Sequence, residues 1–138
     1  MPKAPLPDDA IELLRAANPS VIAVLMPSGN PMSVATWYLL EDDGTILVNM
    51  DATRARLQWM RERPQVSLTV LKEGEWYTHV SVRGTVVRWE DDEAKALADI
   101  DRLSTHYSGK PYPDRESPRV SAWIQVEHWH GWGAAKAD

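Results

Sequence analysis

"TILVNMDATRARLQWMRERPQVSLTV", residues Thr45–Val70, holds a strand, a short helix and a second strand, and it puts its charge in an unusual place. The first segment, "TILVNM", is apolar and β-branched and follows the turn signal "EDDG". Leu57 and Met60, with Trp59 beside them, recur at helical spacing. Pro64 limits that helix, because the residue before a proline avoids the helical region. "QVSLTVLK" then returns to strand alternation, with Val66, Leu68 and Val70 on one face. Within the helix, Arg54, Arg56, Arg61 and Arg63 place four of the chain's 15 cationic residues in ten positions, in a protein of net charge -5.

Outward from this stretch the signals are those of a small β protein. "DDAIELLRAA" spaces Ile11, Leu13 and Leu14 behind an acidic first turn and predicts a short helix stopped by Asn18-Pro19. "SVIAVLM" and "MSVATWYLL" predict strands on either side of the turn "PSGNP", and with "TILVNM" they predict an antiparallel meander. "WYTHVSVRGTVVRW" predicts a long strand with Val80 and Val82 on one face and Tyr77, His79 and Ser81 on the other. Gly84 in its middle marks a bulge or a close backbone approach. "EDDEAKALADIDRLSTHY" predicts a helix with Ala94, Leu97, Ile100 and Leu103 as its apolar stripe. "SGKPYPDRESP" is a polar loop of the kind that covers sites, and "RVSAWIQVEHWHGWG" closes the chain as a strand. About six antiparallel strands with three inserted helices make a mainly β fold, a small barrel with peripheral helices. The reading takes residues 1–138 as a single domain, with the proline-rich residues 1–7 disordered.

The helix dipole separates the four arginines. With Thr53 as N-cap, Arg61 and Arg63 lie in the last turn, where the dipole favours a cation by roughly 0.3–1 kcal/mol. Arg54 and Arg56 lie in the first turn, where the dipole opposes them and where backbone N–H groups have no partner in the helix. Two guanidiniums and several free donors around one helix start suit a bound anion, most naturally a phosphate. The bland alternative is that both are solvated, or that one pairs with Asp51.

Several function classes are disfavoured. The acidic balance argues against a general nucleic-acid binder. No apolar run is long enough for a membrane-spanning helix, and "MPKAPLPDDA" lacks a secretory pattern, so a cytoplasmic protein is expected. With no cysteine, disulfides and thiolate chemistry are excluded. His79, His106, His128 and His130 lack the spacing of a compact metal site, and no metal is expected. Ser104, Ser108 and Ser121 lack the glycines of a nucleophile elbow.

The succession of a strand, Thr53-Arg54-x-Arg56 opening a helix, and "RERPQVSLTV" resembles the phosphate-binding element of the pyridoxamine-phosphate-oxidase-like (PNPOx-like) split-barrel flavoproteins, in particular the branch that uses the deazaflavin coenzyme F420. "VSVRGTV" and "EHWHGWG" resemble later strands of that family, so the likeness runs from about Ile11 to Gly133. Arg63 stands where the family pattern has an acid, and Trp59 where an Asn is common. The resemblance implies a split β-barrel of the FMN-binding-protein type, a homodimer with the cofactor in a groove between subunits. It implies that Thr53, Arg54 and Arg56 hold the phosphate, that Thr36, Trp37, Asn49 and Met50 line the ring and ribityl region, and that Tyr77 and His79 border the pocket. The implied function is an oxidoreductase delivering hydride from reduced coenzyme F420 to an unsaturated or conjugated small molecule, with the substrate proton from Tyr77, His79 or water. The same features fit an FMN-dependent oxidoreductase, or a carrier that binds F420 or flavin without turnover.

Overall fold

Alternating apolar residues organise one antiparallel sheet. In the computed structural model, which describes residues 2–136, the strands are β1 (Ser20–Leu25), β2 (Pro31–Ala35), β3 (Leu39–Leu40), β4 (Ile46–Asp51), β5 (Gln65–Leu71), β6 (His79–Glu90) and β7 (Arg119–Trp132). They run in the order β2-β1-β5-β6-β7-β4-β3, every pair antiparallel. The helices α1 (Asp8–Arg15), α2 (Ala55–Glu62) and α3 (Glu93–Ser108) lie in the connections. The mainly β class with peripheral helices is therefore as the sequence predicts.

The predicted meander is not formed. "MSVATWYLL" is divided between β2, paired with β1 at one edge, and β3, paired with β4 at the other. Only Thr36, Trp37 and Tyr38 lie between them. A flat seven-stranded sheet would hold its edges roughly 29 Å apart, six spacings of about 4.8 Å. Three linking residues reach no more than about 15 Å. The sheet must therefore curl until its edges are neighbours, which gives a barrel split along the β2–β3 seam. Tyr38 anchors the crossing: it is 0% exposed, and its hydroxyl donates to the Ala16 carbonyl at 2.9 Å.

Two apolar layers result. Ile22, Val24, Val48, Leu68, Val80 and Val82 fill the barrel. Outside it, Ile100 and Leu103 of α3 pack on Leu47 and Trp123. β4 and the first half of β7 are thus buried on both faces, which is why "TILVNM" is apolar without alternation. Asp92 caps α3 by accepting from the Lys95 amide at 3.0 Å, and the buried stripe runs through Ala96, Ile100 and Leu103, with Ala94 of the expected stripe exposed. No helix covers the outer face of β1, β5 and β6, where Val21, Ser67, Thr69 and Ser81 stand.

Two details correct or sharpen the sequence reading. Residues 1–7, expected to be disordered, are partly tied down: Lys3 bridges His128, and the Ala4 amide donates to the Glu127 carbonyl at 3.0 Å. Met1 and residues 137–138 lie outside the described residues. Gly84 sits at a register shift between β6 and β7, and a Cβ there would meet the Gln125 carbonyl oxygen at 2.0 Å. Neither partner is a flexible side-chain end, so relief requires the strands to part. Gly84→Ala is expected to destabilise the protein by about 2–4 kcal/mol, measured by denaturant unfolding. Loss below about 0.5 kcal/mol would mean that the bulge yields freely.

Candidate functional site

The helix start is built differently from the expected Thr53 cap. The Thr53 amide and hydroxyl both bond Asp51 Oδ1, at 2.8 and 2.7 Å, so Thr53 closes a turn behind β4. α2 begins one residue later, with Arg54 in the N-cap position and no side chain capping it. The Thr53 hydroxyl and amide also hold the Asp51 carboxyl below its usual range. Asp51 is thereby committed to Thr53, and among the described residues neither Arg54 nor Arg56 makes an ion pair.

The four arginines divide by environment. Arg61 pairs with Asp91 and lies 4.5 Å over the Trp89 ring, while Arg63 bonds the Pro27 carbonyl at 3.3 Å. Arg56 is half-buried, and burial followed by the neighbouring Arg54 charge lowers its pKa, although a guanidinium stays protonated. A half-buried cation beside a second cation, both at the positive end of a helix, is an arrangement that an anion relieves.

Both guanidiniums line a cavity of about 900 Å³ together with Thr36, Trp37, Asn49 and Met50. The crossing that splits the barrel supplies its aromatic wall. Trp37 stacks on Tyr107 of α3 at 5.4 Å and 11°, and Tyr112 meets Trp37 edge-on at 6.1 Å. The Tyr107 hydroxyl donates to the Asn18 carbonyl at 2.6 Å, and burial pushes its pKa up to about 12, so it stays neutral. A flat ring fits against such a wall, with its charged substituents at the arginines.

Tyr77, His79 and Thr53 do not line this cavity. β6 begins only at His79, so Tyr77 lies in the preceding turn and the expected alternation does not reach it. Tyr77 is 57% exposed and packs edge-on to Trp132, while His79 Nδ1 bonds the Tyr77 carbonyl oxygen at 2.9 Å and its ring faces His130. Among the described residues no three His, Cys, Asp or Glu side chains stand close enough to share a metal ion, and no helix is long and apolar enough to cross a membrane.

A family profile described as pyridoxamine 5'-phosphate oxidase matches residues 6–133. The chain belongs to the pyridoxamine 5'-phosphate oxidase family. No curated protein matches its sequence. Among solved structures, an F420 reductase superposes with a TM-score of 0.79 at 22% identity, over 90% of this chain and 98% of that one. A conserved hypothetical protein from Mycobacterium tuberculosis gives 0.67 at 22% identity, over 95% and 91%. General stress protein 26 from Bacillus anthracis gives 0.67 at 14%, over 91% and 92%. At these identities the likeness is one of fold.

This family member brings three further residues to the cavity that sequence reasoning missed: Tyr107, Tyr112 and Arg119. Tyr112 belongs to the predicted covering loop, which is fastened to α3. Asp101 accepts from the Tyr112 amide at 2.9 Å and from Arg115 at 2.6 Å. The Arg115 hydrogen bond holds Asp101 below its usual range, and the Ser117 side chain with the Ser117 and Glu116 amides takes Asp114 down to about 2. Depressed carboxylate values mean that these contacts are complete above the unfolded pKa of about 3.9 and are lost as pH falls through the folded values. The Glu116 and Ser117 amide resonances are expected to titrate with a midpoint well below about 3.9. An unshifted midpoint would show that Asp114 does not order the loop.

Proposed function

We propose that this protein is an oxidoreductase that uses reduced coenzyme F420 to deliver hydride to an unsaturated or conjugated small molecule. The observation that carries the reading is the pair Arg54 and Arg56, free of protein carboxylates and converging on one cavity with an aromatic wall. The donor set suits the cofactor's phosphate, with Thr36, Trp37, Asn49 and Met50 around the ring and ribityl region. Bound there, the deazaflavin supplies the hydride. The chain's own residues bind its phosphate, hold the ring against Trp37 and screen it from bulk water. Since Tyr77 and His79 stand elsewhere, water supplies the substrate proton.

A homodimer belongs to this proposal, as does a cytoplasmic setting. Ala35 lies opposite Val21 on the face that no helix covers, and it also lines the cavity, so the cavity opens onto a surface available to a second copy. The test is a titration with coenzyme F420 and, separately, with FMN, read by quenching of tryptophan fluorescence. Saturable quenching by F420, followed by substrate-dependent oxidation of its reduced form, is the expected result. Saturation by FMN alone assigns the flavin cofactor instead. Binding without turnover by any acceptor leaves a carrier, and no saturation by either removes the cofactor reading.

A further inference from the structure

We propose that Arg119 is a second anion-reading residue of this cavity and selects small-molecule substrates that carry a carboxylate; the substrate role rests on the cofactor reading above. Arg119 opens β7 opposite Asp51 of β4, whereas Arg54 and Arg56 come from α2, so the cavity takes cations from two different elements. Its Nε donates to Asn49 Oδ1 at 2.6 Å, and its guanidinium lies 4.9 Å over the Tyr112 ring. Those contacts leave the Nη fork without a hydrogen-bond partner or ion pair among the described residues. A planar fork held at Nε and on its face is already oriented for two parallel bonds to a carboxylate.

The hold on Arg119 is itself built from buried groups. Asn49 is 8% exposed and donates Nδ2 to the Ala96 carbonyl and to Ser121 Oγ, both at 2.9 Å, so its Oδ1 is fixed toward Arg119. Ser121, 0% exposed, passes its own proton to Asp99 Oδ2 at 2.7 Å, and Asp99 Oδ1 accepts from Arg102 at 3.3 Å. Every polar atom of the Asn49 amide is thus engaged in positioning Arg119. The two carboxylates that share the cavity's lining, Asp51 and Asp114, are engaged by Thr53 and by the Glu116 and Ser117 amides, and neither pairs with Arg119. The Trp37–Tyr107 stack beside it favours a flat, conjugated body behind the carboxylate.

Two probes of one shape test this: cinnamate, a planar conjugated carboxylate, and cinnamyl alcohol, its neutral counterpart. Binding to the full chain is read by tryptophan fluorescence, with circular dichroism checking the fold of each variant. Wild type is expected to prefer cinnamate by at least about tenfold, the scale of a charge-assisted hydrogen bond. Arg119→Gln is expected to remove that preference by weakening cinnamate alone, and Arg119→Lys to retain only part of it. Asn49→Leu, with Arg119 still present, is expected to reduce the preference without changing the affinity for the alcohol. Arg54→Ala/Arg56→Ala is expected to keep it. A preference that is absent in wild type, survives Arg119→Gln or disappears with Arg54 and Arg56 overturns the proposal. If neither F420 nor FMN binds while cinnamate still follows Arg119, the cofactor reading fails and the carboxylate site stands.

Discussion

The Arg54→Ala/Arg56→Ala protein is expected to bind its phosphate-bearing cofactor at least about a hundredfold more weakly than wild type while remaining as stable or becoming slightly more so. A hydrogen bond to a charged group contributes about 1.5–3 kcal/mol, so losing two such partners accounts for the first effect. The second follows from what the arginines lack. Neither makes an ion pair among the described residues, so truncation leaves no orphaned carboxylate. It also removes two like charges from the positive end of a helix, where each is unfavourable by some tenths of a kcal/mol. A thermal midpoint unchanged or raised by up to about 4 °C, together with lost quenching by cofactor, is the combined signature. A large fall in stability would mean that the pair serves the fold. Unchanged affinity would mean that the cavity binds its ligand without them.

The stretch around α2 was legible because three independent patterns agree there: two strands with their own periods, a helix bounded by Pro64, and cations at the unfavourable end. The Thr53 cap was misread for a local reason, since its hydroxyl has a nearer acceptor in Asp51. The break between β2 and β3 carries no glycine or proline; Thr36, Trp37 and Tyr38 suit a strand as well as a crossing, and only the sheet's closure decides between them. For Tyr77 the turn was longer than "EGE" implies, because the Thr78 amide donates to the Glu75 carbonyl at 3.0 Å and delays the strand. Arg119 had no signal of its own. It is an ordinary arginine after a proline loop until Asn49, 70 positions earlier, is found spending its carbonyl on it.

Tyr38→Ala is expected to cost about 3–5 kcal/mol, a large share of the roughly 5–15 kcal/mol by which a domain of this kind is stable. The side chain is fully buried between the barrel core and α3, where Tyr107 meets it edge-on at 6.3 Å. Its loss leaves a cavity at the seam where the two edges of the sheet are drawn together. Tyr38→Phe separates the contributions: the ring remains, only the Ala16 carbonyl loses its donor, and the expected cost is about 1 kcal/mol. Function should follow the ring and not the hydroxyl. Trp37 is the next residue on the same three-residue crossing, so loosening Tyr38 frees the aromatic wall of the cavity. Cofactor affinity should therefore fall in Tyr38→Ala, measured well below its unfolding midpoint, and hold in Tyr38→Phe. If both variants bind as wild type does, the wall is set by α3 and the loop alone, and the crossing that splits the barrel has no part in the site.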